Sequence, residues 1–430
     1  MVDFPRVLFV TPVAFNPYAG GGATFASLFQ GWPKDRLATV HNDPAPSPKD
    51  TCEQYFTLGP DEIDFVWPFN ILRQTVTAPG RSGTQSGPRL AYPRHWIRSV
   101  REFILGDSVP ERAQLTPRLS RWIEHFRPDV IYTILGSNGL MSLVEDIHRK
   151  FALPLVVHIM DDWASAAHRK GLFATRERRR MQLHLTDIFA AATSCLGIST
   201  AMCEAFGERY GRPFRPFQYA FDFEAWGSIQ KREFGVKPVP DLLYVGSIFK
   251  NAQLESLVDC ARAIAILNDT GFPIRLRIAT SAANKARFGA SLMLHPNIAI
   301  DTSSADDAAF FQALADADAL LLPVNFDHDS VEFIRYSMPT KVPAYLNSGT
   351  PILAYGAPQT AQMRYADDGG WALTVTERSQ EKLAAAVKRI MGDQALRKAL
   401  SDAARATACN HDARRVRLAF QNVLRQSAHH

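Results

Sequence analysis

No run of apolar residues approaches the ~20 that a helix needs to cross a bilayer; stretches such as Ala319-Leu320-Leu321-Leu322-Pro323 stop far short of it. The five cysteines, Cys52, Cys195, Cys203, Cys260 and Cys409, include no C-x-x-C pair. That argues against a disulfide framework or a zinc knuckle and for a reducing compartment. The opening apolar run Val7-Leu8-Phe9-Val10 is too short for a signal peptide and lacks its small-residue cleavage site, so a cytoplasmic setting is expected. Charge of one sign is also scarce: 48 Lys and Arg stand against 43 Asp and Glu, a formal net +5. No nucleic-acid-binding module accompanies that excess, so nucleic acid is not an expected partner. Clusters of His, Cys, Asp and Glu at metal-ligand spacing are missing too, and neither a metal nor a cofactor is expected.

What is there is 430 residues, 46% hydrophobic and 21% charged. This is an ordinary globular composition, and at ~150 residues per domain it allows two or three domains. Short apolar runs bounded by turn residues alternate with helix-periodic stretches, the pattern of parallel sheets built from βαβ units. Strands are expected at about 6–11, 129–133, 155–159 and 195–199, then at 241–245, 275–280, 298–301, 319–323 and 352–355. Helices are expected at about 23–29, 118–125, 139–151 and 176–192, then at 253–268, 305–315, 341–348 and 381–391. The fold class is therefore α/β, with two successive doubly wound domains covering 1–225 and 226–408. The boundary follows from Trp226-Gly227-Ser228 and Pro238-Val239-Pro240, which interrupt the periodicity before the strand at 241–245. Ligands of such sheets bind beyond the carboxyl ends of the strands, so a cleft between the domains is the expected site.

Residues 75–94, with Pro79-Gly80-Arg81-Ser82-Gly83 and Ser86-Gly87-Pro88, break the alternation and read as a mobile insertion in the first domain. Such an insertion is either a lid or a plain surface loop. After it, Trp96, Ile97, Val100, Phe103 and Ile104 share one helical face, and Arg94, Arg98 and Arg101 lie mostly on the other. A basic amphipathic helix of this kind either packs on the domain core or lies on an anionic membrane surface. The run Arg176, Arg178, Arg179 and Arg180 likewise reads as a solvated face or as a contact for anionic lipid or phosphate.

Several loops carry chemistry. Gly20, Gly21 and Gly22 open a helix after the first strand, either as a loop that admits an anionic or sugar ligand or as a tight turn. Their spacing is not G-x-G-x-x-G, which disfavours nicotinamide chemistry. At the end of the third strand, His158, Asp161 and Asp162 could orient a hydroxyl or act as a general base, with helix capping by an aspartate as the alternative. In the second domain Gly246, Ser247 and Lys250 follow a strand and form a cradle suited to a diphosphate, unless Lys250 is only a solvated lysine. Thr280 ends the next strand. The segment Asp329–Ala354 holds Glu332, Ser337, Pro339, Thr340, Lys341 and Tyr345 ahead of a helix that ends at Gly349, and amides near Ser337 and Thr340 could face an anion.

In this order the segments resemble a GT-B fold glycosyltransferase, closest in pattern to the retaining family 4 group. Gly20–Gly22 is similar to that family's amino-terminal glycine loop, and Tyr244-Val245-Gly246-Ser247 through Lys250 to the opening of its second domain. Ser337-Met338-Pro339-Thr340-Lys341-Val342-Pro343-Ala344-Tyr345-Leu346 resembles its donor loop. The resemblance implies two Rossmann-like domains facing each other across a cleft, with residues 409–428 as a terminal helix crossing back to the first. It further implies transfer of a sugar from a nucleotide diphosphate sugar to a hydroxyl of a glycan or lipid-linked glycan, with retention and without metal. Polysaccharide or cell-envelope glycan synthesis, with peripheral contact at the inner membrane surface, is the implied setting. Lys250 carries over from the family's diphosphate cations, but Ser247 stands where an arginine is usual. Tyr336 and Ala344 occupy both glutamate positions of the family, leaving Glu332 as a candidate substitute or a mere loop carboxylate. A nucleotide-sugar epimerase of the same fold and a degenerate protein that binds without catalysis are the rival readings.

Overall fold

The computed structural model describes residues 4–15, 20–43, 49–67, 69, 108–303 and 306–429. The insertion expected at 75–94 and the basic amphipathic helix after it lie outside the described residues.

The strands in chain order are β1 (Val7–Thr11), β2 (Leu37–His41), β3 (Gln54–Thr57), β4 (Ile63–Phe65), β5 (Glu111–Ala113), β6 (Val130–Thr133), β7 (Leu155–Ile159), β8 (Ser194–Gly197) and β9 (Phe214–Pro216). A second set follows: β10 (Asp241–Val245), β11 (Arg275–Thr280), β12 (Ile298–Thr302), β13 (Ala319–Pro323), β14 (Ile352–Tyr355) and β15 (Ala372–Val375). The first sheet runs β3-β2-β1-β6-β7-β8-β9 and the second β12-β11-β10-β13-β14-β15, with every pair in both parallel. β4 and β5 form a small antiparallel pair of their own.

The central strands are buried from end to end, β1, β7, β10 and β13 at every residue. That burial is why they read as continuous apolar runs: helices cover both faces, and there is no solvent side to alternate with. The helices begin where side chains can take up free amides. Ser199 Oγ accepts from the amide of Met202 at 3.1 Å, and Thr116 Oγ1 from that of Leu119 at 3.2 Å. Gly349, at φ +63°, ends the helix Val342–Ser348 in the left-handed region that favours glycine.

In each sheet the chain first builds outward on one side and then crosses to build on the other, so the strand order reverses between β1 and β6 and again between β10 and β13. At such a reversal, consecutive loops diverge and leave a crevice at the carboxyl ends. The terminal helix Ala413–Ala428 returns to the first sheet. Its Phe420 is fully buried, 5.1 Å from the Phe29 ring and 5.5 Å from that of Tyr132, and Arg417 Nε donates to the Ser27 carbonyl at 2.8 Å. Burying that one phenyl contributes about 2–3 kcal/mol to holding the chain's end on the first sheet. Among the described residues no helix is long and apolar enough to cross a membrane.

Candidate active site

The crevice of the second sheet is built on Gly246, the residue after β10. Its φ of +138° turns the chain, and its amide donates to the Ala279 carbonyl at 3.0 Å. A Cβ at this position would lie 2.9 Å from Lys341 Nζ. The backbone angle is what requires glycine here, since the flexible end of the lysine could shift away from a Cβ. Lys341 caps the start of the helix Val342–Ser348 and lays its ammonium 3.9 Å from the centroid of the Tyr244 ring. Part of its stem is exposed, yet Nζ is sealed from solvent and has no hydrogen-bond partner among the described residues. Burial pulls its pKa down from 10.5 to about 7. Beside Nζ lies the face of the Tyr244 ring and no carboxylate, so nothing among the described residues offsets the desolvation of its charge.

The neighbouring side chains hold the turn. Tyr345 is fully buried, and its hydroxyl accepts from the Val245 amide at 2.9 Å; Tyr244 donates its own to the Ser247 carbonyl at 2.5 Å. Asn325, after β13, donates to the Lys250 carbonyl at 2.9 Å, which ties the two diverging loops together. The Lys250 and Ser247 side chains are exposed on that loop.

Asp161, after β7, faces the second domain. It accepts from the Ser337 hydroxyl at 2.6 Å, and burial raises its pKa while that hydrogen bond opposes the rise. Ser199 Oγ donates to the Tyr336 carbonyl at 2.7 Å, and Arg169 pairs with Glu332. The arginine beside it holds the Glu332 carboxyl below its usual range. These contacts place the loop after β7 against the helix His328–Ile334 and the segment leading to Lys341.

Several sequence expectations need correction. His158 does not stand in the cleft: it is fully buried within the first domain, 2.7 Å from the Tyr132 hydroxyl, and burial lowers its pKa to about 3. His158 lies within β7, whose residues are all buried because helices cover both faces of the sheet. Asp162 is likewise buried, accepting from both Arg209 amino groups at 3.3 Å and from Ser165 Oγ at 2.7 Å, so it fastens its loop to the helix Thr200–Tyr210. The amide of Ser337 donates to the Ile334 carbonyl at 3.0 Å and its hydroxyl goes to Asp161, leaving neither to face an anion. Thr280 is buried, its hydroxyl 3.3 Å from the Asn284 amide nitrogen, and Tyr345 supports β10 from inside. Pro339 and Thr340 stay half-buried beside Lys341, and Gly20–Gly22 form the first turn of the helix Gly20–Phe29.

Sequence reasoning passed over three residues. Tyr244 was read only as part of a strand, although its place just before Val245-Gly246 puts its ring under the turn. Arg169 belongs to His168-Arg169-Lys170, a basic triplet beyond a strand's carboxyl end, which was the available signal. Asn325 follows β13 directly, at the other side of the order reversal. Among the described residues no group of three or more His, Cys, Asp or Glu side chains is placed to hold a metal ion.

No protein-family profile matches the sequence, and no curated protein is similar to it. Solved structures do match over nearly the whole chain. WaaG, a glycosyltransferase involved in lipopolysaccharide biosynthesis, is 14% identical with a TM-score of 0.59, over 97% of this chain and 99% of that one. Sucrose-phosphate synthase from Thermosynechococcus elongatus is 13% identical with a TM-score of 0.62, over 98% of both chains. HepE from Anabaena, solved in complex with UDP and glucose, is 13% identical with a TM-score of 0.59, over 96% and 97%. Identities this low establish architecture rather than chemistry: with its two six- and seven-stranded parallel sheets and its returning terminal helix, the chain has the GT-B fold of glycosyltransferases.

Proposed function

We propose that the protein is a glycosyltransferase that takes a sugar from a nucleotide diphosphate sugar and places it on a hydroxyl of a glycan or lipid-linked glycan. The observation that carries this reading is Lys341, whose ammonium is sealed beside Gly246 with no partner among the described residues. A diphosphate at the tip of β10 would supply its missing counter-charge. The same contact would strengthen as the C1–O bond breaks and its electron pair leaves on a phosphate oxygen. The acceptor oxygen then bonds to C1, and its proton passes to the departing phosphate. Lys250 would add a second cation from the exposed loop. In this reading the second domain holds the donor and the first the acceptor, with Asp161 and Ser337 closing the cleft between them and excluding the water that would hydrolyse the donor. That HepE, of similar fold, was solved with UDP and glucose is in keeping with a nucleotide-sugar donor. Retention at C1, independence from metal and a role in polysaccharide or cell-envelope synthesis at the cytoplasmic face of a membrane complete the proposal.

Thermal melting with a panel of nucleotide sugars tests the reading. A donor present at ~100 times its dissociation constant stabilises by ~2.7 kcal/mol. A selective shift that falls in Lys250→Ala supports the proposal and names the donor. Silence across the whole panel, with free nucleoside diphosphates also inert, contradicts it. A shift without any turnover would favour a protein that binds only, the reading that Tyr336 and Ala344 at the family's glutamate positions keep open.

A further inference from the structure

The first domain carries an open groove of about 440 Å³ lined by His168, Arg169, Thr175, Arg178, Arg179 and Gln182 among others. It lies between the His168-Arg169 turn and the helix Ala174–Ala191, and no carboxylate is among its lining residues.

Its walls sort the arginine run of that second helix by role. Arg180 is committed to the domain itself: Nη1 donates to the Glu111 carbonyl at 2.6 Å and lies 3.8 Å from the buried Glu177 carboxylate. Arg176 lies 4.0 Å from the same carboxylate. Arg178 and Arg179 line the groove instead and make no ion pair among the described residues. Across from them His168 takes a backbone φ of +54°, and its Nε2 lies 3.4 Å from the Asn138 side-chain nitrogen. His168 Nδ1 is buried with no hydrogen-bond partner among the described residues. At the rim, Arg169 donates to the Ser165 carbonyl at 2.8 Å and pairs with Glu332, so the groove borders the domain interface.

An open groove with two solvent-exposed guanidinium groups that make no ion pair among the described residues attracts an oxyanion able to accept several hydrogen bonds at once. Its volume is larger than a bare anion needs. We propose that this groove binds a phosphate ester, and that the acceptor presents it there. The word acceptor rests on the transferase reading above; the anion site does not, because it shares no residue with the Lys341 crevice. Arg169 gives the site a second consequence: a phosphate beside it loads a cation that pairs with Glu332 of the donor domain's helix His328–Ile334.

The test uses the full chain with three probes: glucose 6-phosphate against glucose, vesicles of phosphatidylglycerol against phosphatidylcholine, and UDP for the donor crevice. The expected result is binding of glucose 6-phosphate or of the anionic vesicles, with neither uncharged counterpart bound. In R178Q/R179Q that binding falls by roughly tenfold or more for each guanidinium lost, while the UDP response and the melting curve persist. R178K/R179K, which keeps the charge, recovers most of it. Binding of glucose 6-phosphate alone assigns the ester to a soluble acceptor, and binding of vesicles alone to a lipid headgroup. The proposal is overturned if neither probe binds, or if R178Q/R179Q binds them as the wild type does. A protein that binds the phosphate probe but not UDP sinks the transferase reading and leaves the anion site standing.

Discussion

Replacing Lys341 by methionine should make the unliganded protein more stable, against the usual direction for a substitution at a functional position. The free protein carries an ammonium whose pKa burial has lowered from 10.5 to about 7. At ~1.4 kcal/mol per pH unit, keeping that group charged in the folded state costs on the order of 5 kcal/mol; relaxation and water entry leave a net of a few. Below pH 7 both folded and unfolded chains are protonated and the native state bears the whole penalty. Between about 7 and 10.5 the folded protein sheds the proton while the unfolded chain keeps it, so the penalty fades as pH rises through that window. Lys341→Met fills the same channel under the Tyr244 ring with an apolar stem of similar length. The variant should therefore melt higher than wild type at pH 6, and the difference should shrink toward pH 10. A gain of ~2 kcal/mol corresponds to ~4–8 °C for a domain of this size. Calorimetric melting curves of both proteins across that range are the assay. A variant less stable at pH 6, or a difference independent of pH, would refute the idea that an uncompensated buried ammonium sits at the tip of β10.

Two other substitutions probe the same crevice. Gly246→Ala puts an L side chain at a φ of +138° and a Cβ 2.9 Å from Lys341 Nζ; it should destabilise the protein by ~1–3 kcal/mol and weaken nucleotide binding, which melting and calorimetric titration would show, whereas a neutral outcome contradicts the strain at this turn. Asp161→Asn keeps an oxygen for the Ser337 hydroxyl but removes the charge. Because burial raises the folded pKa of Asp161 above its usual 3.8, the native state bears the cost of that charge above the folded pKa and is spared it below 3.8. The variant should accordingly melt higher than wild type at neutral pH and equally at pH 3, provided both remain folded there; an equal gain at both pH values would point to another cause.

Much of the fold was legible because its strands are buried on both faces. β1, β7, β10, β13 and β14 all read directly as apolar runs. β2 was not found, since Thr39 and His41 interrupt its run, although both are fully buried. Thr39 lies 3.5 Å from Cys52 Sγ, and burial depresses the His41 pKa, so tertiary contacts make polar residues acceptable where composition argued against them. β9, Phe214-Arg215-Pro216, is only three residues long, and β15, at the edge of the second sheet, is half-buried in its middle and carries Thr374, so neither registers as an apolar run.

The site was legible by segment and not by side chain. Lys250 and Lys341 both stood out as cations in loops, but which one is sealed depends on Gly246 and the Tyr244 ring, far away in sequence, and no local pattern reports that. His158 stood one place before the end of β7, still inside a strand buried on both faces, whereas Asp161 lies in the loop beyond it. The Arg176–Arg180 run shows the same limit. Its positions alone did not reveal that Glu177 and the Glu111 carbonyl engage two of these arginines and leave two to the groove.

The most direct test of the central claim is release of nucleoside diphosphate from a panel of nucleotide sugars, measured with wild type and Lys341→Met in two buffers of different ionisation enthalpy for the binding step. The account predicts slow release from one donor, lost in the variant. It also predicts proton uptake by wild type on binding near pH 8, as the diphosphate draws Lys341 back to its charged form. Release that survives in Lys341→Met, or nucleotide binding with no proton taken up, would contradict the assignment of this crevice to the donor diphosphate.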